Sequence, residues 1–209
     1  MNAPDTFSSK AQALADIGRD LHAQGWVPAT SGNFSMRLDD ASAIVTASGK
    51  HKGKLTATDF LAVDLRGQPL AGGKPSAETL LHTQLYAWRP WVDTVLHCHS
   101  PNATVVSRLS SGNTLLLSDY ELLKALRGVG THATTVAIPI FENTQVIPDL
   151  ARQVEDYLRE HPDCPGYLIR GHGIYCWGAS GEECLRHLEA IDFLLQCELL
   201  AQRSGAKPA

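Results

Sequence analysis

The stretch "VDTVLHCHSP", Val92 to Pro101, runs from apolar, strand-forming residues into two histidines separated by one cysteine. Successive side chains of a β-strand point to opposite faces, so His97 and His99 share one face while Cys98 faces the other. Two imidazoles on one face fit either a half-buried strand with hydrogen-bonded histidines or part of a metal site. The stretch therefore predicts a β-strand, and a metal site requires a third ligand.

A third histidine occurs in "YLIRGHGIYCWG", residues 167–178, where His172 lies between Gly171 and Gly173. The two glycines carry no side chains that could crowd a ligand. Catalytic zinc commonly keeps three protein ligands and one open position, and neutral imidazole is one of its usual ligands. His97, His99 and His172 match that set. The other histidines are interpreted as surface or core residues: His22, His51, His82, His132, His161 and His187.

Helical and extended patterns alternate along the chain, which favours an α/β fold with a sheet covered by helices. Helices are predicted at 8–25, about 76–88, 101–110, 118–127, 149–160 and 180–203. Strands are predicted at 42–48, 60–65, 92–100, 134–141 and 167–177. The last helix has the clearest start, because Ser180 and Glu183 have capping-box spacing. Periodicity alone leaves the strand order open.

Length and composition favour one globular domain over residues 1–209, since 44% of the 209 residues are apolar. No apolar run is long enough for a membrane span, and the first ten residues lack a signal-peptide pattern. Five cysteines without a C-x-x-C pair are typical of a reducing compartment. A net charge of −4 without a basic run argues against a nucleic-acid surface. We expect a soluble cytoplasmic protein that acts on a small molecule, without nucleic-acid or membrane partners.

Glycines and hydroxyl residues cluster in three segments: "ATSGNFSMR" (29–37), "VTASGKHKGKL" (45–55) and "GGKPSAETLL" (72–81). Exposed backbone N–H groups and hydroxyls at turns and helix starts bind anions. Glycine turns and serine caps are also common without any ligand. Each segment alone is a weak indication of a phosphate site.

Two glutamates have both a structural and a catalytic interpretation. Glu78 follows Ser76 in the first turn of a predicted helix, where a carboxylate favours the helix dipole. Glu121 stands three residues after Ser118 in "SDYELLKAL", which is capping-box spacing. Either carboxylate could instead serve a nearby metal site as an acid or a base.

The ordered set "SGN", "TASG", "KPSAE", "HCHS" and "GHG" resembles the class II aldolase/adducin family, and the resemblance covers about residues 10–203. It implies an α/β/α layered domain with a mainly antiparallel central sheet, assembled as a homotetramer. It also implies one divalent metal ion per subunit, usually Zn²⁺, on His97, His99 and His172. The implied phosphate cradle consists of Asn33, Ser48, Gly49 and Ser76.

The segments "SDYELLKAL", "PIFENTQ" and "GHGIYCWG" resemble most closely the family's dehydratases, lyases that remove water from a phosphorylated ketose. That resemblance implies that Glu121 is the acid/base. Sugar-phosphate aldolases of the family carry P-S-S-E where this chain has "PSAE", so one phosphate-binding hydroxyl is missing. Glu78 is then a helper, a ligand of the empty metal site or a leftover. A sugar-phosphate aldolase or epimerase, and a non-catalytic adducin-like interaction protein, remain alternatives.

Overall fold

The computed structural model describes residues 6–204. Eight strands form one sheet: β1 (Asn33–Arg37), β2 (Ser42–Thr46), β3 (Phe60–Asp64), β4 (Thr94–Cys98), β5 (Thr114–Ser118), β6 (Thr135–Phe141), β7 (Gly166–Ile169) and β8 (Gly173–Gly178). Five α-helices surround it: α1 (Thr6–Ala23), α2 (Thr79–Trp88), α3 (Pro101–Leu109), α4 (Ile147–Glu160) and α5 (Gly181–Arg203). Short 3₁₀ helices occur at Lys52–Lys54, Ala57–Asp59 and Glu121–Ala125.

The strands lie in the order β3-β2-β1-β4-β8-β7-β6-β5. Neighbouring strands run antiparallel except β6 and β7, which are parallel. The mainly antiparallel sheet implied by the family resemblance is therefore confirmed. The strand β4, which carries the H-x-H motif, lies in the interior of the sheet between β1 and β8.

Helices cover both faces of the sheet, so helices and sheet together form an α/β/α sandwich. Helices α1, α3 and α5 pack on the face to which Leu96 and Cys98 point, within one apolar cluster. Helices α2 and α4 pack on the opposite face, with Val95 and Trp177. The alternation along β4 thus separates two cores, and the α/β prediction is confirmed. Within residues 6–204, no helix is both long and apolar enough to cross a membrane.

Several predicted elements differ from the observed ones. Strands β1 and β5 were not predicted, and the single strand predicted at 167–177 is two strands joined by a turn. The helix predicted at 118–127 is only a 3₁₀ helix over Glu121–Ala125. Its Ser118 does not cap it, because the Ser118 hydroxyl hydrogen-bonds to Thr135 across the β5–β6 pair at 2.9 Å.

The predicted capping box at the start of α5 is present in part. The Ser180 hydroxyl accepts a hydrogen bond from the backbone N–H of Glu183 at 3.1 Å. The Glu183 carboxylate accepts from the N–H of Ala179 rather than from that of Ser180. The helix therefore begins as the sequence predicts, with one of its two expected bonds shifted by a residue.

Candidate metal centre and phosphate pocket

Strand pairing brings three polar side chains side by side in the middle of the sheet. In the antiparallel ladders, Asn33 of β1 and Tyr175 of β8 lie directly opposite His97 of β4. The rings of His97 and Tyr175 are stacked, with centroids 4.1 Å apart and planes inclined by 13°. His97 is thereby held rigidly in the interior of the molecule, with no exposed surface.

The other two histidines lie just beyond strand ends. His99 follows β4, and its backbone N–H donates to the carbonyl of Trp26 at 2.8 Å. His172 lies in the turn between β7 and β8, where its N–H donates to the carbonyl of Ile169 at 3.0 Å. The Nε2 atom of His99 is 3.0 Å from the Nε2 atoms of both His97 and His172. The three predicted ligands therefore converge on one point.

The donor set fits a divalent metal ion such as zinc. The Nδ1–H group of His97 donates a hydrogen bond to the carbonyl oxygen of Ile174 at 2.9 Å, which leaves Nε2 unprotonated with a free lone pair in the neutral ring. Burial lowers the pKa of His97 well below its usual value and that of His99 to about 4, so both imidazoles are neutral at pH 7. Three Nε2 atoms facing one point form the arrangement in which zinc binds histidines.

Backbone conformation and strand packing require both glycines beside His172. Gly171 has a φ of +66°, which the turn requires and which side chains disfavour. A Cβ atom at Gly173 would lie 2.1 Å from the carbonyl oxygen of Cys98. Close pairing of β8 with β4 therefore excludes any side chain there. A Cβ atom at Gly173 would also lie 3.1 Å from Cε1 of His97, so the absence of a side chain keeps space beside this imidazole as well.

Glu78 lies beside the three converging histidines. Its two carboxylate oxygens lie 3.4 Å from Nε2 of His97 and 3.5 Å from Nε2 of His172. The hydroxyl of Tyr175 donates to Oε2 at 2.7 Å, and the amide of Asn33 donates to the same oxygen at 2.9 Å. Glu78 precedes α2 but makes no side-chain cap, so its helix-dipole interpretation does not describe its main contacts.

The Glu78 carboxylate is ionised. Burial alone would raise its pKa, but the attraction of His97 and His172 in their protonated forms and the hydrogen bonds from Asn33 and Tyr175 outweigh burial and lower the pKa. An ionised carboxylate beside three imidazoles can accept a proton from a ligand or contribute an oxygen to a metal ion.

A chain of hydrogen bonds behind Glu78 fixes its orientation. His82 of α2 hydrogen-bonds through Nε2 to the side-chain oxygen of Asn33 and through Nδ1 to the hydroxyl of Ser35 at 2.8 Å. The Ser35 hydroxyl also contacts the Tyr86 hydroxyl at 2.7 Å. The Asn33 side chain is thus engaged on both sides. It lies at the pocket as predicted, but its contacts are to Glu78 and His82.

The predicted phosphate residues Ser48, Gly49 and Ser76 line one pocket together with His99 and other site residues. The cavity measures about 370 Å³, which is in the range of small-molecule sites. The loop that carries Ser48 and the loop that carries Ser76 are connected by a backbone hydrogen bond, in which the N–H of Ser48 donates to the carbonyl of Lys74 at 2.9 Å. Hydroxyls and a glycine turn therefore face the same space as the metal centre. Further lining residues are Thr30, Gly32, Asn33, Lys52, Glu78, Gln145 and His172.

Glu121 is not among the residues that line this pocket. Glu121 follows β5, which is an edge strand of the sheet and is four strands away from β4 in the strand order. Its side chain is 70% exposed and forms an ion pair with Lys124, and its carboxylate lies 3.5 Å from Nδ1 of His132. Hydrogen bonding to Lys124 lowers the pKa of Glu121, the opposite of the raised value that an acid/base role favours.

Three residues of the site were not predicted. Tyr175 shares the face of His97 through the β4–β8 register, which a sequence does not show. His82 was interpreted as an ordinary surface or core histidine, and only its contact with Asn33 connects it with Glu78. Lys52 gave no signal because lysines are rarely buried.

The chain belongs to the class II aldolase and adducin N-terminal domain family, whose match extends over residues 12–199. The chain is 57% identical over 196 residues to a methylthioribulose-1-phosphate dehydratase of Pseudomonas paraeruginosa, covering 93% of this chain and 96% of that protein. It is 53% identical over 195 residues to the protein of the same name from Azotobacter vinelandii, covering 93% and 95% of the two chains.

Known structures have the same fold. The L-fuculose-1-phosphate aldolase of Thermus thermophilus superposes with a TM-score of 0.76 at 29% identity, covering 95% of this chain and 97% of that one. YgbL of Klebsiella pneumoniae, titled a putative aldolase/epimerase/decarboxylase, superposes with a TM-score of 0.80 at 23% identity, covering 94% and 91%. The second similarity concerns the fold alone.

Proposed function

We propose that this chain is a zinc-dependent hydro-lyase that dehydrates 5-methylthioribulose 1-phosphate to 2,3-diketo-5-methylthiopentyl 1-phosphate, a step of methionine salvage in the cytoplasm. The observation that carries the proposal is a single pocket that combines three convergent imidazoles with serine and glycine loops. The 57% identity to proteins named for this dehydration favours it over other reactions at a similar site.

His97, His99 and His172 would hold the metal ion through their Nε2 atoms. When bound, zinc supplies Lewis-acid stabilisation of the negative charge that develops on the substrate's keto oxygen. The stacked Tyr175 ring and the Ile174 carbonyl keep the His97 imidazole in the orientation and tautomer that a metal ligand needs.

The reaction removes one molecule of water. A base takes the proton from the third carbon, next to the keto group, and an acid protonates the hydroxyl that leaves the fourth carbon. The resulting enol tautomerises to the diketone. One carboxylate that accepts the first proton and returns it to the leaving hydroxyl can serve both steps.

We assign this acid/base role to Glu121, as the family resemblance implies. Because Glu121 is exposed and lies outside the pocket of its own chain, it would have to act in the pocket of a neighbouring subunit. A homotetramer, which the resemblance also implies, provides such a neighbour. Burial against that subunit would also raise the pKa of Glu121 toward the range useful for catalysis.

A second candidate function follows from the position of Glu78. A carboxylate 3.4–3.5 Å from two of the metal-binding nitrogens is placed to act as the base of a sugar-phosphate aldolase or epimerase. An aldolase would remove the proton of the fourth hydroxyl and break the bond between the third and fourth carbons. On the dehydratase proposal, Glu78 is instead a helper that occupies the metal centre before substrate binds.

Product analysis decides between these functions. Zinc-loaded protein incubated with 5-methylthioribulose 1-phosphate should release the diketone phosphate and no aldehyde. Aldehyde release together with dihydroxyacetone phosphate would favour the aldolase. A protein that binds no zinc and forms neither product would be a non-catalytic, adducin-like interaction protein.

A further inference from the structure

Lys52 is a buried lysine at the phosphate loops. It begins the short 3₁₀ helix Lys52–Lys54 and is only 2% exposed, whereas lysines are almost never fully buried unless paired. Within residues 6–204, no Asp or Glu side chain forms an ion pair with it. By contrast, Lys50 is exposed and pairs with Asp59 at 2.9 Å. The buried cation therefore lacks the counterion that burial normally requires.

The contacts of Lys52 leave room for a ligand. Its Nζ atom donates to the carbonyl oxygen of Thr30 at 2.8 Å and to that of Lys50 at 2.7 Å. An ammonium group has three N–H donors, so these two contacts leave one donor for a further acceptor. Lys52 itself lines the pocket that Ser48 and Ser76 line.

The two carbonyl groups that accept hydrogen bonds from Lys52 show where its ammonium group lies in the pocket. Thr30 belongs to the "TSGN" loop and Lys50 to the "ASGK" loop, the segments expected to hold phosphate. The ammonium group therefore lies where these two loops meet. Burial lowers the pKa of Lys52 to about 8, so the charged form still predominates at neutral pH. A phosphate dianion in the pocket would supply the missing negative charge.

We infer that Lys52 binds the phosphate group of the substrate and is the cation of an otherwise uncharged cradle of hydroxyls and glycine. The identity of the phosphorylated substrate rests on the proposed function, whereas binding of a phosphate monoester at Lys52 does not. Charge-assisted hydrogen bonds of this kind are about twice as strong as neutral ones. Lys52 should thus contribute more to phosphate affinity than a single serine hydroxyl.

Calorimetric titration of the zinc-loaded protein with inorganic phosphate tests this assignment. Lys52→Met keeps a long apolar stem but removes the charge and should weaken phosphate binding about 10- to 100-fold. The KM for the phosphorylated ketose should rise by a similar factor with kcat within about threefold, because phosphate contacts are shared by ground and transition states. Lys54→Met, at an exposed lysine two residues away, is the matched control and should change neither quantity.

A purely structural role for Lys52 predicts a different result. If Lys52 only ties the two loops together, Lys52→Met should lower the melting temperature and kcat, and unphosphorylated methylthioribulose should lose affinity as much as its phosphate. That equal loss would overturn the inference, as would unchanged phosphate affinity in a folded Lys52→Met protein.

A measurement on the unsubstituted protein covers the case in which Lys52→Met does not fold. In protein labelled with ¹³C at lysine Cε, saturating phosphate should shift the Lys52 resonance and leave that of Lys54 in place. A Lys52 resonance that stays fixed at saturating phosphate would contradict phosphate contact.

Failure of this inference differs from failure of the proposed function. If phosphate binding depends on Lys52 but no diketone forms, the dehydratase assignment fails and the phosphate site stands. If diketone forms and Lys52→Met binds phosphate like the unsubstituted protein, only the role of Lys52 is refuted.

Discussion

Glu78 and Glu121, the two glutamates proposed to serve catalysis, lie in opposite surroundings. Glu78 is surrounded by His97, His172, Asn33 and Tyr175, and each of these contacts comes from its own chain. Glu121 begins a 3₁₀ helix next to an edge strand, where its carboxylate pairs with Lys124 and lies near His132 at the surface.

This difference separates two kinds of catalytic group. A buried carboxylate that several donors hold is preorganised within one subunit and needs nothing further to act. An exposed carboxylate paired with surface cations has no such support, and it can serve this reaction only after another molecule covers it. The comparison therefore makes oligomerisation a condition for activity if Glu121 is the acid/base.

The largest effect is expected from the three histidines proposed as metal ligands, on which the proposed role of either glutamate depends. His97→Ala, His99→Ala or His172→Ala should each remove most of the bound zinc and reduce diketone formation to background, because two imidazoles hold the ion far less well than three. Metal analysis and initial rates measure both effects. A variant with full metal content would show that its histidine is not a ligand.

The three converging histidines are also the part of the site whose placement the sequence predicts best. Strand alternation and the H-x-H spacing predict that His97 and His99 lie on one side, and the glycine turns predict that Ser48, Gly49 and Ser76 share a pocket, which is where these residues lie. Their roles as metal and phosphate ligands stay predictions. Strand β1 escaped prediction although Phe34 and Met36 alternate with polar residues and face one apolar cluster, because its segment was interpreted only as a glycine and hydroxyl cluster.

The environment of each glutamate could not be derived from the sequence. The register between β1 and β4 places Asn33 opposite His97, and Glu78 at the start of α2 contacts both residues. No local pattern encodes this meeting of three segments. Strand β5 is an edge strand in which Leu116 is 60% exposed, so its sequence does not show the alternation of apolar and polar residues that predicts a strand. Local spacing explained both glutamates equally well, whereas long-range pairing distinguishes them.

The next effect concerns Glu121. Glu121→Gln removes the titrating group but keeps the shape, so turnover should fall about 10²-fold or more while zinc content and substrate binding remain. The melting temperature should stay within a few degrees of that of the unsubstituted protein, because the side chain is exposed and makes only surface ion pairs. Near-normal turnover would remove Glu121 from the mechanism.

Mixed oligomers test whether Glu121 acts across a subunit boundary. Coexpressed Glu121→Gln and His97→Ala subunits, each inactive alone, should form some sites with three histidines from one chain and Glu121 from the other. Partial recovery of diketone formation is therefore expected. If Glu121 acts within its own chain, no mixed site is complete and the mixture stays inactive.

A smaller effect is expected from Glu78→Gln. On the dehydratase proposal, Glu78 is a helper, and glutamine can still accept the hydrogen bonds of Asn33 and Tyr175, so turnover should fall less than in Glu121→Gln. Initial rates of both variants under one condition give the comparison. A larger loss in Glu78→Gln would reverse the ranking of the two glutamates and favour the aldolase arrangement.

Ser76→Ala should affect binding rather than turnover. The phosphate is not the reacting group, and its contacts are present in both the ground and the transition state, so KM should rise several-fold with kcat nearly unchanged. Steady-state kinetics with the phosphorylated ketose measures both constants. A large fall in kcat at constant KM would show that the Ser76 hydroxyl lies at the reacting carbons instead.

The smallest effect concerns His82, which holds Asn33 in place behind Glu78. It is a change in how the folding stability depends on pH. Burial lowers the pKa of His82 to about 4, so between pH 6.5 and 4 the unfolded chain binds a proton that the folded chain does not. Folding stability therefore falls as the pH falls through this window, by an amount on the order of 3 kcal/mol from His82 at its lower end. In metal-free His82→Gln, this contribution disappears, and the melting temperature should fall less steeply with acid. Equal slopes in the unsubstituted protein and in His82→Gln would mean that His82 does not remain neutral and buried behind Glu78, and the contrast between the two glutamates would lose its structural basis.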